Sequence, residues 1–133
     1  MINKKKVEEY IPKVIKLIEE EFKDSNKGLP KELTGYITSF GAAIIQSGLI
    51  PAVAFYEREE SNGSDETSKN RKKLMRIIGK LLYEDFKQDN LLLEKLIDEH
   101  NKIKKDDIIN ASVAIKLVIR LYKKLDETGD INE

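Results

Sequence analysis

The chain contains no cysteine, no tryptophan and a single histidine, His100. Without cysteine there is no disulfide framework, no thiolate metal site and no cysteine nucleophile, which fits a reducing cytoplasm. One histidine leaves no room for a histidine-rich metal site. Net charge is missing as well: 24 basic and 24 acidic side chains cancel. A free-standing nucleic-acid binder usually carries a basic excess, because phosphate contacts dominate its affinity. The zero balance argues against a lone, tight RNA or DNA binder. It leaves open a subunit that adds a basic face to a larger assembly.

Other absences narrow the field further. No secretory leader is expected, since Lys4-Lys5-Lys6 runs into Val-Glu-Glu rather than an apolar stretch. Nor is there a phosphate-cradling glycine loop or a Ser-His-Asp set with local signatures. The acidic clusters Glu19-Glu20-Glu21, Glu57/Glu59/Glu60 and Asp106-Asp107 fit neither a calcium loop nor a His-carboxylate helix pattern. No catalytic residue, metal or cofactor is expected, and the chain reads as a non-enzyme. His100 raises a phosphorelay reading, since such domains place one His on a helical bundle. The plainer reading is a solvated residue near a helix C-terminus.

What is present is one domain's worth of material. The 133 residues are 40% apolar and 36% charged, a globular composition able to bury one core. Val7, Ile11, Val14, Ile15, Leu17, Ile18 and Phe22 recur at helical spacing, with Pro12 marking a kink or a first turn. A third helix is expected from about Asn70 to Lys87, and a fourth from about Asp89 to His100. The last should run from about Asp106 to Leu125, capped by Asp106 or Asp107. Strand signals are weak and no repeat is found. The expected fold is all-α, a compact single-domain bundle of five or six helices over 1–133, with a mobile loop at about 58–69.

The stretch between the first and third helices is unusual. Leu33 to Tyr56 carries no charge, yet it holds three glycines and Pro51 and lacks a sustained aliphatic core, so it is a poor membrane span. Ile37, Phe40, Ile44 and Ile45 keep the helical period; Gly48 is placed to be a C-terminal cap and Pro51 to open a new turn. Two short helices or one bent helix follow. Gly35, Gly41 and Gly48 read as sites where another helix backbone comes close, which predicts that Gly48→Val destabilises by crowding.

Charge is segregated along the chain. Residues 57–66 are acidic apart from Arg58, and then Lys69, Arg71, Lys72, Lys73, Arg76 and Lys80 follow without an acid among them. Lys69, Lys72, Lys73, Arg76 and Lys80 share a helix face at three- and four-residue steps. Lys116, Arg120, Lys123 and Lys124 step along the last helix in the same way. Each group fits a phosphate-contacting surface, and each equally fits a solvated polar face.

The segment Ile44-Ile45-Gln46-Ser47-Gly48-Leu49-Ile50-Pro51-Ala52-Val53-Ala54-Phe55-Tyr56 resembles the core signature of the small-subunit family of the type III-B CRISPR Cmr complex. In that family an apolar helix and a polar residue precede Gly-Leu, and a small-residue turn leads into Ala-Phe. A basic residue commonly follows, here Arg58. The stretch from Ala111 to Lys124 is similar to the family's final helix, without the Trp often found there. The resemblance spans nearly the whole chain. It implies a non-catalytic, cytoplasmic subunit of an RNA-guided, RNA-targeting effector in antiviral defence. Copies would stack beside a backbone of other Cmr proteins that holds the guide RNA, lining the groove for the target RNA. Candidate RNA contacts are then Lys69, Lys72, Lys73, Arg76, Lys80, Lys116, Arg120 and Lys123. Gly48, Leu49, Ala54 and Phe55 would be signature core, within the central packing helix of the bundle. A competing reading is a stand-alone helical adaptor or antitoxin-like module that binds protein and no RNA.

Overall fold

The computed structural model describes residues 2–58 and 66–125, and the backbone of 131–132. Among them are six α-helices, one short 3-10 turn and three two-residue strands, which is the expected all-helical bundle with one small addition. Helix α1, Lys4–Glu21, starts where the Asn3 side chain accepts from the Lys6 amide at 3.2 Å. Pro12 lies in the middle of α1, not in its first turn. Val7, Val14 and Ile18 are its buried stripe.

The uncharged run forms two helices, α2 (Leu33–Ser47) and α3 (Leu49–Glu57), broken at Gly48 as the sequence implies. Gly48 has φ +96°, and its amide closes α2 by donating to the Ile44 carbonyl at 2.9 Å. A side chain here would meet only Pro51 Cδ at 3.7 Å, an ordinary contact. Backbone conformation, and not crowding, is therefore what requires glycine at this position. Gly35 and Gly41 also face open space, so neither makes the close helix approach expected of it. The crowded helical glycine is Gly79, where a Cβ would overlap the Phe86 ring, a side chain from the following turn and not another helix backbone.

Helix α4 spans Glu66–Leu82, so residues 66–69, expected in the loop, are helical. The rest of the expected loop beyond Arg58, 59–65, lies outside the described residues. Helix α4 stops at Leu82, short of the expected Lys87, because Phe86 folds back over Gly79 through a turn closed by the Phe86 amide on the Tyr83 carbonyl. Helix α5 is only Leu92–Ile97. It is shortened at both ends by side chains that capture local amides: Asn90 accepts from Lys87 at 2.7 Å and Asp98 from His100 at 2.7 Å.

Helix α6 spans Lys105–Ile119. The Asp107 carboxylate accepts from the Lys104 amide at 2.9 Å at its start. The helical pattern continues to Leu125, but the helix does not. Strand β1 (Leu29–Pro30) offers unpaired backbone groups, and β2 (Lys124–Leu125) lies parallel to it, with Leu29 N donating to Lys123 O at 2.7 Å. Strand β3 (Ile131–Asn132) completes the sheet antiparallel to β2.

Among the described residues, twenty-five apolar side chains are buried in one contiguous core to which every helix contributes. The central elements are not those the sequence suggests. Charged α4 packs against all five other helices, and α6 packs against α1, α2 and α4. Helix α2 buries only the stripe Leu33, Ile37, Phe40 and Ile44 and leaves its other side open. An uncharged sequence need not be an interior one.

Candidate nucleic-acid interface and aromatic groove

The basic face of α4 is placed as its spacing implies, but most of it is already engaged. Glu21, at the end of α1, has a side chain only 3% exposed. Arg76 Nε and Nη2 each lie 2.9 Å from Glu21 Oε1. Lys80 Nζ lies 3.2 Å from Glu21 Oε2 and donates to Gln88 Oε1 at 2.7 Å. One buried carboxylate thus holds two of the five expected phosphate contacts and ties α1 to α4. Lys73 Nζ sits 4.8 Å from the centre of the Phe22 ring. Lys72 is close enough to Glu57 to stabilise its carboxylate. Lys69 alone of the five is exposed.

The second basic group is divided. Lys116 is half-buried in the last turn of α6 and Arg120 is exposed at its C-terminal cap. Lys123 and Lys124 lie beyond the helix, in and before β2, so they do not continue its face as expected. Both are exposed, while the Lys123 carbonyl is committed to the sheet.

The signature residues also separate. Gly48 makes the break between α2 and α3, and Leu49 and Ala54 are half-buried. Phe55 is 45% exposed and is not core. Buried on this helix instead are Ala52, Val53, Tyr56 and Glu57. The period explains the difference: α3 is apolar on all sides, so composition cannot say which side faces inward, and only the packed neighbours do.

Phe55 forms a wall of a groove of about 390 Å³ between α2 and α3, together with Ala43, Ser47, Pro51 and Tyr56. Arg71 of α4 reaches this groove, a place that its membership in a run of positives does not reveal. Its guanidinium carbon lies 5.3 Å from the ring centre of Tyr36, 5.3 Å from Phe55 and 5.2 Å from Tyr56. Arg71 Nε is buried and has no hydrogen-bond partner. Arg58 covers Phe55 at 4.1 Å. Tyr56 is fixed by donating its hydroxyl to the Tyr36 carbonyl at 2.7 Å, and burial raises its pKa. The sequence signal for Arg71 is that it is the one cation of its run lying off the shared basic face.

Glu57 has a role that its place in an acidic cluster does not suggest. It ends the uncharged run, is buried, and accepts from the Leu92 and Leu93 amides at 2.6 and 2.8 Å, anchoring the start of α5. Burial raises its pKa, and the two amides only partly oppose that. His100 lies in a turn beyond α5, not on a helix, and is solvent-exposed with Nε2 3.4 Å from Glu99. The described residues bring no three His, Cys, Asp or Glu side chains together as a metal site. No helix among them is long and apolar enough to cross a membrane.

Fold and surface define a small helical-bundle protein whose surface includes exposed cations and an aromatic-walled apolar recess. Residues 3–125 match the family model described as CRISPR-associated protein (Cas_Cmr5), and the chain belongs to this family, the small subunit of the type III-B Cmr system. No curated protein and no solved structure matches the chain.

Proposed function

We propose that the chain is a non-catalytic small subunit of a cytoplasmic type III-B CRISPR-Cas ribonucleoprotein effector. Several copies stack beside the proteins that hold the guide RNA and help to bind target RNA in antiviral defence. The observation that carries this reading is the family match over residues 3–125. In such an assembly base pairing reads the sequence, and protein subunits contribute backbone contacts. Of the candidate cations, the exposed Lys69, Arg120 and Lys123 are assigned these contacts in preference to Arg76 and Lys80, which Glu21 holds.

The test is target-RNA binding by the assembled complex carrying Lys69→Glu, Arg120→Glu and Lys123→Glu together. The affinity should fall and the salt dependence should flatten, by about 0.7 in log–log slope for each single-strand phosphate that these cations neutralise. Wild-type affinity with a wild-type salt slope overturns the assignment of RNA binding to these residues.

A further inference from the structure

Arg71 is in an unusual position for a surface cation. Five residues along the same helix, Arg76 has a carboxylate at 2.9 Å. Arg71 has three aromatic rings around it, a buried Nε with no acceptor, and no acidic partner among the described residues. Rings compensate a guanidinium only in part, and its planar fork is matched by a carboxylate or phosphate that accepts two hydrogen bonds. The groove it faces is otherwise uncharged, since α2 and the lining residues of α3 come from the stretch without Asp, Glu, Lys or Arg. Phe55 and Pro51 leave apolar surface exposed beside it. Aromatic side chains and arginine together are the composition of an interface centre.

We propose that this groove docks a segment of another protein subunit presenting one Asp or Glu between apolar side chains, with the carboxylate paired to Arg71. The inference rests on the subunit reading above. Charge decides the kind of occupant. A nucleic-acid strand is tracked by a row of cations, and the groove offers Arg71 with only Arg58 nearby, already lying on Phe55. One guanidinium in an apolar recess matches one carboxylate in an apolar segment. Pairing with the same groove of a second copy would set two Arg71 side chains against each other, so the occupant is a different surface.

The experiment uses the chain assembled with the other Cmr subunits, with p-benzoylphenylalanine at Ile50, an exposed residue next to Pro51 of the groove and not one of its lining side chains. Photo-cross-links should map to another subunit, within about four residues of an Asp or Glu, one helical turn's reach. Arg71→Glu should lower incorporation into the complex about tenfold or more, as for an interface anchor. Changing the mapped carboxylate to Lys should restore it. Ser47→Trp, which fills the groove from an exposed position, should lower incorporation in the same way and covers the case in which Arg71→Glu fails to fold. Cross-links to RNA or to a second copy of this chain, no cross-link, or normal incorporation of Ser47→Trp or of folded Arg71→Glu each overturn the proposal. Failure of the unaltered chain to join the complex is a different result, and it overturns the subunit reading together with this one.

Discussion

Glu57 shows how one residue's burial sets a pH dependence. Its carboxyl is raised from the usual 4.5, first by burial, so the folded state holds the proton more tightly than the unfolded chain does. Above both pKa values the folded protein carries a buried charge that the unfolded chain carries in water. Stability from this group therefore falls as pH rises from 4.5 through the raised value, and is recovered on acidification. Glu57→Gln should remove that part of the slope, as seen in melting temperatures taken across this pH window. An unchanged slope would refute the role of Glu57. Gly48 illustrates a second residue-scale constraint, with φ of +96° and nothing crowding it. Gly48→Val should cost about 1–3 kcal/mol through backbone strain alone, measured by urea denaturation. A cost near zero would mean that the break between the two helices relaxes freely.

At the scale of the element, α4 carries conflicting demands. It is the most basic helix and also the hub of the packing, so its cations lie over neighbours as well as water. Arg76 and Lys80 converge on Glu21, whose side chain is nearly inaccessible while theirs are 24% and 18% exposed. Breaking a fully buried pair costs about 3–5 kcal/mol, and partial exposure of the cations lowers this toward about 2. On a merely solvated face, one reading of that spacing, Lys72, Arg76 and Lys80 would be replaceable by Glu without loss of fold. The structure predicts the reverse for two of them: Arg76→Glu with Lys80→Glu should destabilise the free protein by about 2 kcal/mol or more, because three carboxylates then meet at one buried point. Chemical denaturation of the isolated protein checks it, and a wild-type midpoint would refute the buried-pair account. Helix α5 is the opposite case, six residues whose start is held by Glu57 from another helix.

For the whole molecule, local pattern and global packing agree on most of the helices and part company at the ends of α4, α5 and α6. Periodic apolar residues locate all of the main helices, and the glycine–proline pair at 48 and 51 locates the break in the uncharged run. Local chemistry shortens α5, and the return of Phe86 over Gly79 shortens α4. At the last helix the backbone of β1 wins the competition for the chain after Ile119, and with it Lys123 and Lys124 leave the helical face. The candidate site is legible to a similar degree. Spacing puts five cations on one face of α4, but nothing in the sequence around them names Glu21, 55 positions before Arg76, as their partner.

Sequence by itself determined the all-helical class, the break at Gly48, the absence of thiol chemistry and, through Gly48-Leu49 to Ala54-Phe55, the family. These depend on residue type and on spacing within a few helical turns, which a single chain displays directly. Tertiary structure alone decided which cations are already paired, that Phe55 faces outward, and that Arg71 stands among three rings with no carboxylate partner among the described residues. Each of those depends on contacts between residues far apart in the chain. Exposure and charge pairing are properties of the packed neighbours, and a helix that is apolar on all sides carries no local mark of which side they will cover.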